Sequence, residues 1–221
     1  MPHLPAPLAA LGAAACLALA GCATTQPVRY QGLESAALMR PNAADEADRT
    51  PFLYRAPGVD WGRYSGAIVE PVSIYDQPDH QFGDMDAERR RELALHMHGR
   101  FIDTLRRRYD IPPPAGADAL LVRLTLTGAK TNTRVLSTFT KFDLGGAPYN
   151  AVQAIRGREG LMSGSVSYAV EVLDASSGRL LMAYVEKQYP NAMNVKASLG
   201  ALDAARTGID KGAQALLERL E

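Results

Sequence analysis

The sequence predicts an α+β fold: a two-layer sandwich in which a mostly antiparallel sheet carries two amphipathic helices on one face. In two stretches, 93–109 and 195–220, apolar residues recur every three or four positions, as in helices that bury one side. In two others, 119–127 and 165–172, apolar residues alternate with more polar ones, as in half-buried strands. The order is strand, helix, strands, hairpin and helix, which fits one sheet covered on one face.

The first strand is predicted at 66–75, where β-branched and apolar residues follow a glycine. Pro71 has no N–H to donate, so it must lie at an edge, at a bulge or at the end of this strand. After a polar loop at 76–84, Asp86 is placed to cap the first helix, which ends before Pro112.

The stretch 119–127 is the clearest strand in the chain, and a Thr-rich stretch at 125–140 is expected to continue it into a bend and a second short strand. The interpretation of 144–162 stays open between a short helix and a mobile loop. A hairpin loop with Gly178 at its end joins the strand at 165–172 to a returning strand at 179–189.

The last helix is predicted from about residue 195 to residue 220. Small residues four apart would let it pack closely on a sheet, which would offset the cost of about 1 kcal/mol for each helix glycine. These residues are Ala204, Gly208 and Gly212.

The overall composition is that of a globular domain without net charge. Hydrophobic residues make up 47% of the chain and charged residues 22%, and 24 basic side chains balance 24 acidic ones. Non-specific nucleic-acid binding needs a basic field, and a polybasic membrane surface needs clustered lysine or arginine. We therefore expect no nucleic-acid partner.

An apolar run at 8–20 closes in Leu19-Ala20-Gly21-Cys22. The run is shorter than the roughly 20 apolar residues of a transmembrane helix, and an ordinary signal peptide more often ends in Ala-x-Ala. The tetrapeptide resembles a bacterial lipobox. The resemblance implies cleavage before Cys22, acylation of its thiol and new amino group, and, because Ala23 rather than aspartate follows, transport to the outer membrane.

The lipobox divides the chain into three parts. Residues 1–21 are expected to be a lipoprotein signal peptide, residues 22–49 a lipidated N-terminus and flexible tether, and residues 50–221 a single periplasmic α+β domain. Within the tether, a short apolar turn that docks on the domain could form at Leu33, Leu38 and Met39.

Three further segments carry a resemblance to a known family. They are the stretch 31–41, the stretch 54–64 leading into Ile68-Val69-Glu70-Pro71-Val72, and the hairpin at 170–181. Together they resemble the bacterial lipoproteins grouped as domain-of-unknown-function family 3313. The resemblance covers most of the mature chain and implies a lipoprotein of this fold. It implies no catalytic residue, because the function of that family is unknown.

The histidines do not form a metal-binding pattern. His96 and His98 are two apart on a helix and point about 200° apart, so they cannot share an ion as an i, i+4 pair does. His80 lies in an acidic loop whose carboxylates could bind calcium, although the spacing of an EF-hand is absent. A solvated turn and a helix cap are favoured there, and we expect no metal and no other cofactor. The acidic residues of the loop are Asp76, Asp79, Asp84 and Asp86.

No catalytic constellation stands out either. Cys16 leaves with the signal peptide and Cys22 carries lipid, so no free thiol remains. Ser163-Gly164-Ser165 is not the Gly-x-Ser-x-Gly of a nucleophile elbow, and the glycines in 144–162 do not form a P-loop. We therefore expect a non-enzymatic protein without catalytic residues; a hydrolase would need paired carboxylates that converge in a cleft.

Two other groups of residues have both a structural and a binding interpretation. The arginines at 89–91 and 106–108 make both ends of the first helix basic, which suits the helix dipole at its C-terminus better than binding of an anion or lipid headgroup. The aromatic group either lines an apolar groove or packs in the core, and core packing is favoured. Its members are Trp61, Tyr64, Tyr149 and Tyr168.

The expected function is that of an outer-membrane-anchored lipoprotein that faces the periplasm. It would bind a protein partner or serve as an accessory component of a cell-envelope complex, without catalysis. The alternative is a module that binds a small lipid-like or cell-wall-derived ligand, with 144–162 as its gate. A deep apolar pocket would favour the ligand, and a well-packed domain with exposed apolar surface would favour the partner.

Overall fold

The computed structural model describes residues 27–45, 49–131, 164–190 and 200–221. They form one sheet of seven strands and two helices, which confirms the predicted α+β class and the mostly antiparallel sheet. The strands are β1 (Arg40–Pro41), β2 (Phe52–Arg55), β3 (Gly66–Val69), β4 (Ser73–Ile74), β5 (Ala119–Lys130), β6 (Ser165–Asp174) and β7 (Leu180–Gln188). The helices are α1 (Ala87–Leu105) and α2 (Asp203–Arg219).

The strands lie in the order β1-β2-β7-β6-β5-β3, and β4 also pairs with β5. Each neighbouring pair from β1 to β5 is antiparallel, whereas β3 and β4 run parallel to β5. The parallel pairs follow from the connection, because α1 lies between β4 and β5 in the chain and a crossover helix returns the chain to the same end of the sheet.

The stretch predicted as one strand at 66–75 forms two short strands instead. Pro71 lies between β3 and β4 and cannot donate to the ladder, which explains the interruption. On either side the backbone still follows β5: Glu70 N donates to Val122 O at 3.0 Å and Tyr75 N donates to Leu126 O at 2.9 Å.

Helix α1 begins where the sequence predicts. The Asp86 side chain accepts a hydrogen bond from Arg89 N at 2.8 Å, which satisfies one of the free N–H groups of the first turn. Four apolar side chains, four positions apart, are buried: Leu93, Met97, Phe101 and Leu105. Neither described helix is long and apolar enough to cross a membrane.

Helix α2 begins at Asp203, later than the predicted start near residue 195. A turn at 200–202 precedes it, and residues 191–199 lie outside the described residues. The predicted continuation of β5 at 132–140 and the ambiguous stretch 144–162 also lie outside them. The hairpin between β6 and β7 is confirmed, with Gly178 at a φ of 69° and its N donating to Asp174 O at 2.8 Å.

One cluster of buried side chains joins both helices to one side of the sheet. Successive strand residues point to opposite faces, so the alternating members of this cluster share a face, which we call the helix face. From β5 and β6 these members are Leu120, Val122, Leu124, Leu126, Val166, Tyr168, Val170 and Val172. The helices also contact each other through polar groups, such as Arg100 Nε and Asp210 Oδ1 at 2.9 Å.

Residues 27–41 pack against the opposite face of the sheet. We call this segment the strap and the face that it covers the strap face. Tyr30 and Met39 are fully buried there, and Ser35 N donates to Glu171 Oε1 at 3.0 Å. The buried cluster on this face combines Tyr30, Leu33, Ala36 and Met39 with Tyr75, Ala169, Ala183 and Val185.

The strap corrects the expectation of a flexible tether at 22–49 and of a domain that begins at residue 50. The apolar side chains of the strap find a sheet face that needs cover, and its end forms β1 against β2. The docking turn that was predicted around Leu33 and Met39 does form, whereas Leu38 points outward and is 45% exposed.

Close packing of α2 on the sheet depends on a glycine. A Cβ on Gly212 would overlap the hydroxyl of the fully buried Tyr168. We expect Gly212→Ala to lower the free energy of unfolding by about 1–3 kcal/mol, because the ring or the helix must move. Urea unfolding followed by circular dichroism measures this change.

Gly99→Ala in α1 is the matched control. Its position opens to free space, so the higher helix propensity of alanine should raise the free energy of unfolding by up to about 1 kcal/mol. Equal effects of the two substitutions would contradict the packing described here.

Candidate functional site

A polar cleft lies on the strap face, between the strap and the connection from β3 to β4. Its volume is about 340 Å³. We call it the Arg123 cleft, because this side chain lies at the centre of its charges. Its lining consists of Gly32, Leu33, Glu34, Glu70, Pro71, Ser73, Ile74, Tyr75, Asp76, Gln77, Arg123, Leu124, Thr125 and Glu171.

The guanidinium of Arg123 is surrounded by carboxylates. On β5 it stands opposite Glu171 of β6. Its Nη1 lies 3.0 Å from Glu34 Oε2 and its Nε lies 3.2 Å from Glu70 Oε2. The Glu34 side chain is 83% exposed, so its ion pair with Arg123 contributes only about 0–1 kcal/mol to stability.

The charges decide what the cleft can hold. Five of its 14 lining residues are charged, four of them acidic. A lipid-like ligand would have to displace water from these groups without replacing their hydrogen bonds, which is unfavourable. The geometry therefore suits a small polar or cationic group better than an acyl chain.

Glu171 connects this cleft to the strap. Its side chain is only 7% exposed, and its bond from Ser35 N satisfies a carboxylate that would be costly to bury unpaired. At the start of the strap, the Tyr75 hydroxyl accepts from Gly32 N at 3.0 Å and donates to Asp79 Oδ1 at 2.8 Å. The Tyr75 ring meets the Tyr30 ring edge-on at 5.2 Å. Burial raises the pKa of Tyr30 to about 12, so its hydroxyl stays neutral.

A second opening, of about 230 Å³, lies beside the loop at 81–85 and the adjoining ends of β5, β6 and β7. The loop meets the sheet where Gln81 N donates to Thr127 O at 2.8 Å. A Cβ on Gly128 would lie 2.6 Å from the Gln81 Cβ, so this approach requires glycine. The lining is again largely polar: Gln81, Phe82, Gly83, Asp84, Met85, Ala129, Lys130, Thr131, Ser165, Ser167 and Lys187.

A charged pair is buried between α2 and β7. Glu186 is 1% exposed, and its Oε2 lies 3.3 Å from Arg219 Nη1. Arg219 also donates to Thr50 Oγ1 at 2.9 Å, and its guanidinium lies 4.2 Å from the centre of the Tyr184 ring. Burial raises the pKa of Glu186 in spite of the guanidinium beside it. Because solvent does not reach Glu186, the pair acts as a clamp between helix and strand.

Another carboxylate organises the hairpin between β6 and β7. Asp174 Oδ1 accepts from Ser176 Oγ at 2.6 Å and from Ser177 N at 2.8 Å, and its Oδ2 accepts from the Tyr64 hydroxyl at 2.9 Å. These hydrogen bonds, with that of Ser176 as the strongest, hold the pKa of Asp174 well below its ordinary value. The arrangement fixes the turn and offers no reactive group.

The histidines on α1 point to different neighbours, as their spacing predicts. His96 Nε2 lies 3.2 Å from Asp210 Oδ1, whereas His98 Nε2 lies 3.4 Å from Val69 O at the edge of the sheet. In the acidic loop, His80 Nδ1 accepts from Phe82 N at 3.4 Å. The described segments contain no group of three or more His, Cys, Asp or Glu residues that could hold a metal ion.

The other residues singled out in the sequence have structural neighbours or lie outside the described residues. Tyr64 and Tyr168 are buried in the core and Trp61 packs against it, which confirms core packing for these three. Among the arginines, Arg90 donates to Met85 O at 2.8 Å and Arg107 donates to Thr104 O at 3.2 Å. Cys22, Tyr149 and Ser163 lie outside the described residues.

The Arg123 cleft and the buried pair were missed in the sequence. Arg123 and Glu171 occupy the same side of their strands, but their pairing depends on a register between strands that are far apart in the chain. The available signals were a basic residue in the polar set of β5 and an isolated acid in each of two apolar strands, Glu171 and Glu186. Residue patterns alone do not identify their partners.

The described residues thus define an α+β domain with a strap on one sheet face and polar clefts beside that strap. The chain belongs to the family described as protein of unknown function (DUF3313), whose profile matches residues 29–216. This match confirms the family predicted from the sequence, and it begins within the strap. No curated protein matches the chain.

Solved structures with a similar course of the chain are distant. A PelC dodecamer from Paraburkholderia phytofirmans has a TM-score of 0.38 and 13% identity, and the match covers 74% of this chain and 94% of that chain. A variant of the same PelC dodecamer gives 0.38, 11%, 74% and 93%. A PDZ domain protein from Parabacteroides distasonis gives 0.33, 14%, 76% and 33%. Similarity at this level carries no argument about function or assembly.

The bond between Ser35 and Glu171 can be tested by Glu171→Ala. We expect this substitution to lower the free energy of unfolding by about 1–3 kcal/mol, because a buried N–H loses its charged acceptor. It should also speed trypsin cleavage after Arg29 and Arg40 as the strap loosens. Glu34→Ala is the control, since Glu34 is exposed; an equal loss in both variants would argue against a special role of Glu171.

The Glu186 clamp predicts a specific dependence on pH. Because the folded-state pKa of Glu186 is raised above its ordinary value of 4.5, the folded protein holds this proton to higher pH than the unfolded chain does. Its contribution to stability is therefore largest at low pH and falls as pH rises through the folded-state pKa.

Glu186→Gln should remove this fall, so urea unfolding between about pH 5 and about pH 8 should give a flatter profile than for the unmodified protein. Glu218→Gln is the control, because Glu218 is exposed on the same helix and should leave the profile unchanged. Parallel profiles for all three proteins would show that Glu186 titrates normally.

Proposed function

We propose that the protein is a lipoprotein of the outer membrane, anchored through acylated Cys22 and facing the periplasm. In this proposal it binds a protein partner as an accessory component of a cell-envelope complex and catalyses no reaction. The observation that carries the proposal is the apolar run that closes in Leu19-Ala20-Gly21-Cys22. Membership of DUF3313 is compatible with it, since the family has no assigned activity.

The arrangement of the domain supports a surface that faces a partner. We infer the two-layer architecture expected from the sequence, with both amphipathic helices on the helix face, because one buried cluster unites both helices with alternate residues of β5 and β6. Leu95 of α1 is 75% exposed, and Gly99 one turn further along the helix leaves space beside it. An exposed leucine beside a residue without a side chain gives α1 an apolar contact point.

The lining of the two clefts supports a protein partner over a lipid-like ligand. Both openings are bordered by charged side chains, with Arg123, Glu34 and Glu70 in one and Lys130 and Lys187 in the other. Sites for lipid-like ligands are mostly apolar, with a few polar groups that fix orientation. We therefore place the ligand-binding alternative second.

The anchor is tested by Cys22→Ala. This variant should carry no acyl chain by mass spectrometry and should disappear from the outer-membrane fraction, because the thiol that accepts the lipid is gone. Cys16→Ala is the matched control: it removes the other cysteine, which lies in the predicted signal peptide, and should change neither result. Outer-membrane fractionation of Cys22→Ala protein would contradict the proposed anchor.

The partner is tested in intact cells with a photo-cross-linking residue at position 95. The proposal expects a reproducible protein adduct that is absent when the same residue is placed at Glu88 on the exposed first turn of α1. If no protein adduct forms and a lipid or a cell-wall fragment co-purifies instead, the ligand-binding alternative gains and the partner proposal fails.

A further inference from the structure

We propose that the strap sets both the distance and the orientation of the domain at the membrane, with the strap face toward the bilayer and the helix face away from it. The inference rests on the proposed acylation of Cys22. It adds a geometric consequence that follows from where the described chain first becomes buried.

The first step is the length of chain between the lipid and the domain. Residues 23–26 are the only ones between Cys22 and Pro27, and Pro27 is already buried. A fully extended chain spans at most about 3.6 Å per residue, so the Cα atoms of Cys22 and Pro27 lie within about 18 Å of each other. A flexible tether at 22–49 would instead give a root-mean-square reach of roughly 30 Å.

The second step is that the strap is held at several points along its length. At its start, the ring of Tyr30 packs against Tyr75 at 5.2 Å. In its middle, Ser35 N donates to Glu171, and at its end Arg40 pairs with Leu53. A chain attached at one point would let the domain swivel, whereas these attachments must break before the domain can turn relative to the strap.

The third step is that the strap and the helices lie on opposite faces. The strap packs on Ala169, Ala183 and Val185, whose neighbours in β6 and β7 point to the helices. The outer surface of α1 therefore lies beyond the sheet and about one helix diameter, roughly 10–12 Å, further from the lipid. In this orientation Leu95 is displayed toward the periplasm, where a partner can approach.

The experiment measures energy transfer from the protein to acceptor-labelled lipid headgroups. The donor is attached to Leu38→Cys on the strap or to Leu95→Cys on α1; these leucines are 45% and 75% exposed. The mature chain has no other free thiol, since Cys22 carries the lipid. The full-length lipidated protein is placed in vesicles, and we expect stronger transfer from position 38 than from position 95.

A spacer variant tests whether the strap causes the difference. A Gly/Ser insertion of about 20 residues between Thr24 and Thr25 lengthens the connection without touching any described residue. It should lower transfer at both positions and reduce the difference between them. Val28→Cys, with a side chain that is 40% exposed, is a second strap position if a label at position 38 loosens the strap.

The outcomes separate this inference from the proposed function. Mass spectrometry first shows whether Cys22 is acylated; an unacylated cysteine removes the anchor and this inference with it. Acylated protein with equal transfer from both positions overturns the orientation alone. A difference that survives the spacer unchanged also overturns it, because the orientation then comes from contact of the domain with lipid.

Discussion

The central strands of the sheet are buried on both faces, and the rest of the structure follows from this constraint. All ten residues of β6 are buried, as are eight of the nine residues of β7. A sheet that is apolar on both sides needs cover on both sides, because each uncovered face would leave apolar area in water at about 25 cal/mol per Å². The helices cover one face and the strap covers part of the other.

The two covers are attached by different physical means. Helix α2 approaches closely because Gly208 and Gly212 have no side chains to hold it away: a Cβ on Gly208 would lie 2.8 Å from Val166 Cγ1. The strap has no regular helix or long strand of its own, so its backbone bonds to side chains such as Tyr75 and Glu171 instead. These acceptors are what an irregular segment needs if its N–H groups are to be buried without loss.

Local patterns predicted the elements, and long-range pairing decided the rest. The Asp86 cap, the alternation in β5 and the turn at Gly178 depend on residues close together in the chain, and each was predicted. The strap was not, because its proline and polar residues suggested a tether and its buried tyrosine and methionine follow no period. The Arg123 cleft was missed because it requires the register of β5 on β6 and the position of the strap on both.

The region that follows the strap reaches the other side of the domain, so the N-terminal region is part of the fold. After β1, Thr50 accepts a hydrogen bond from Arg219 of α2, and Arg49 O accepts from Lys187 N at 2.7 Å. Arg219 also forms the buried pair with Glu186. The chain next to the proposed anchor is thus linked first to the strap face and then, through Thr50, to the end of α2. A force applied at residue 27 would act first on the strap contacts and β1, while the helix face stays intact until they yield. Anchoring and folding are therefore coupled in this protein, since loosening the strap would lengthen the connection to the membrane and uncover a sheet face at the same time.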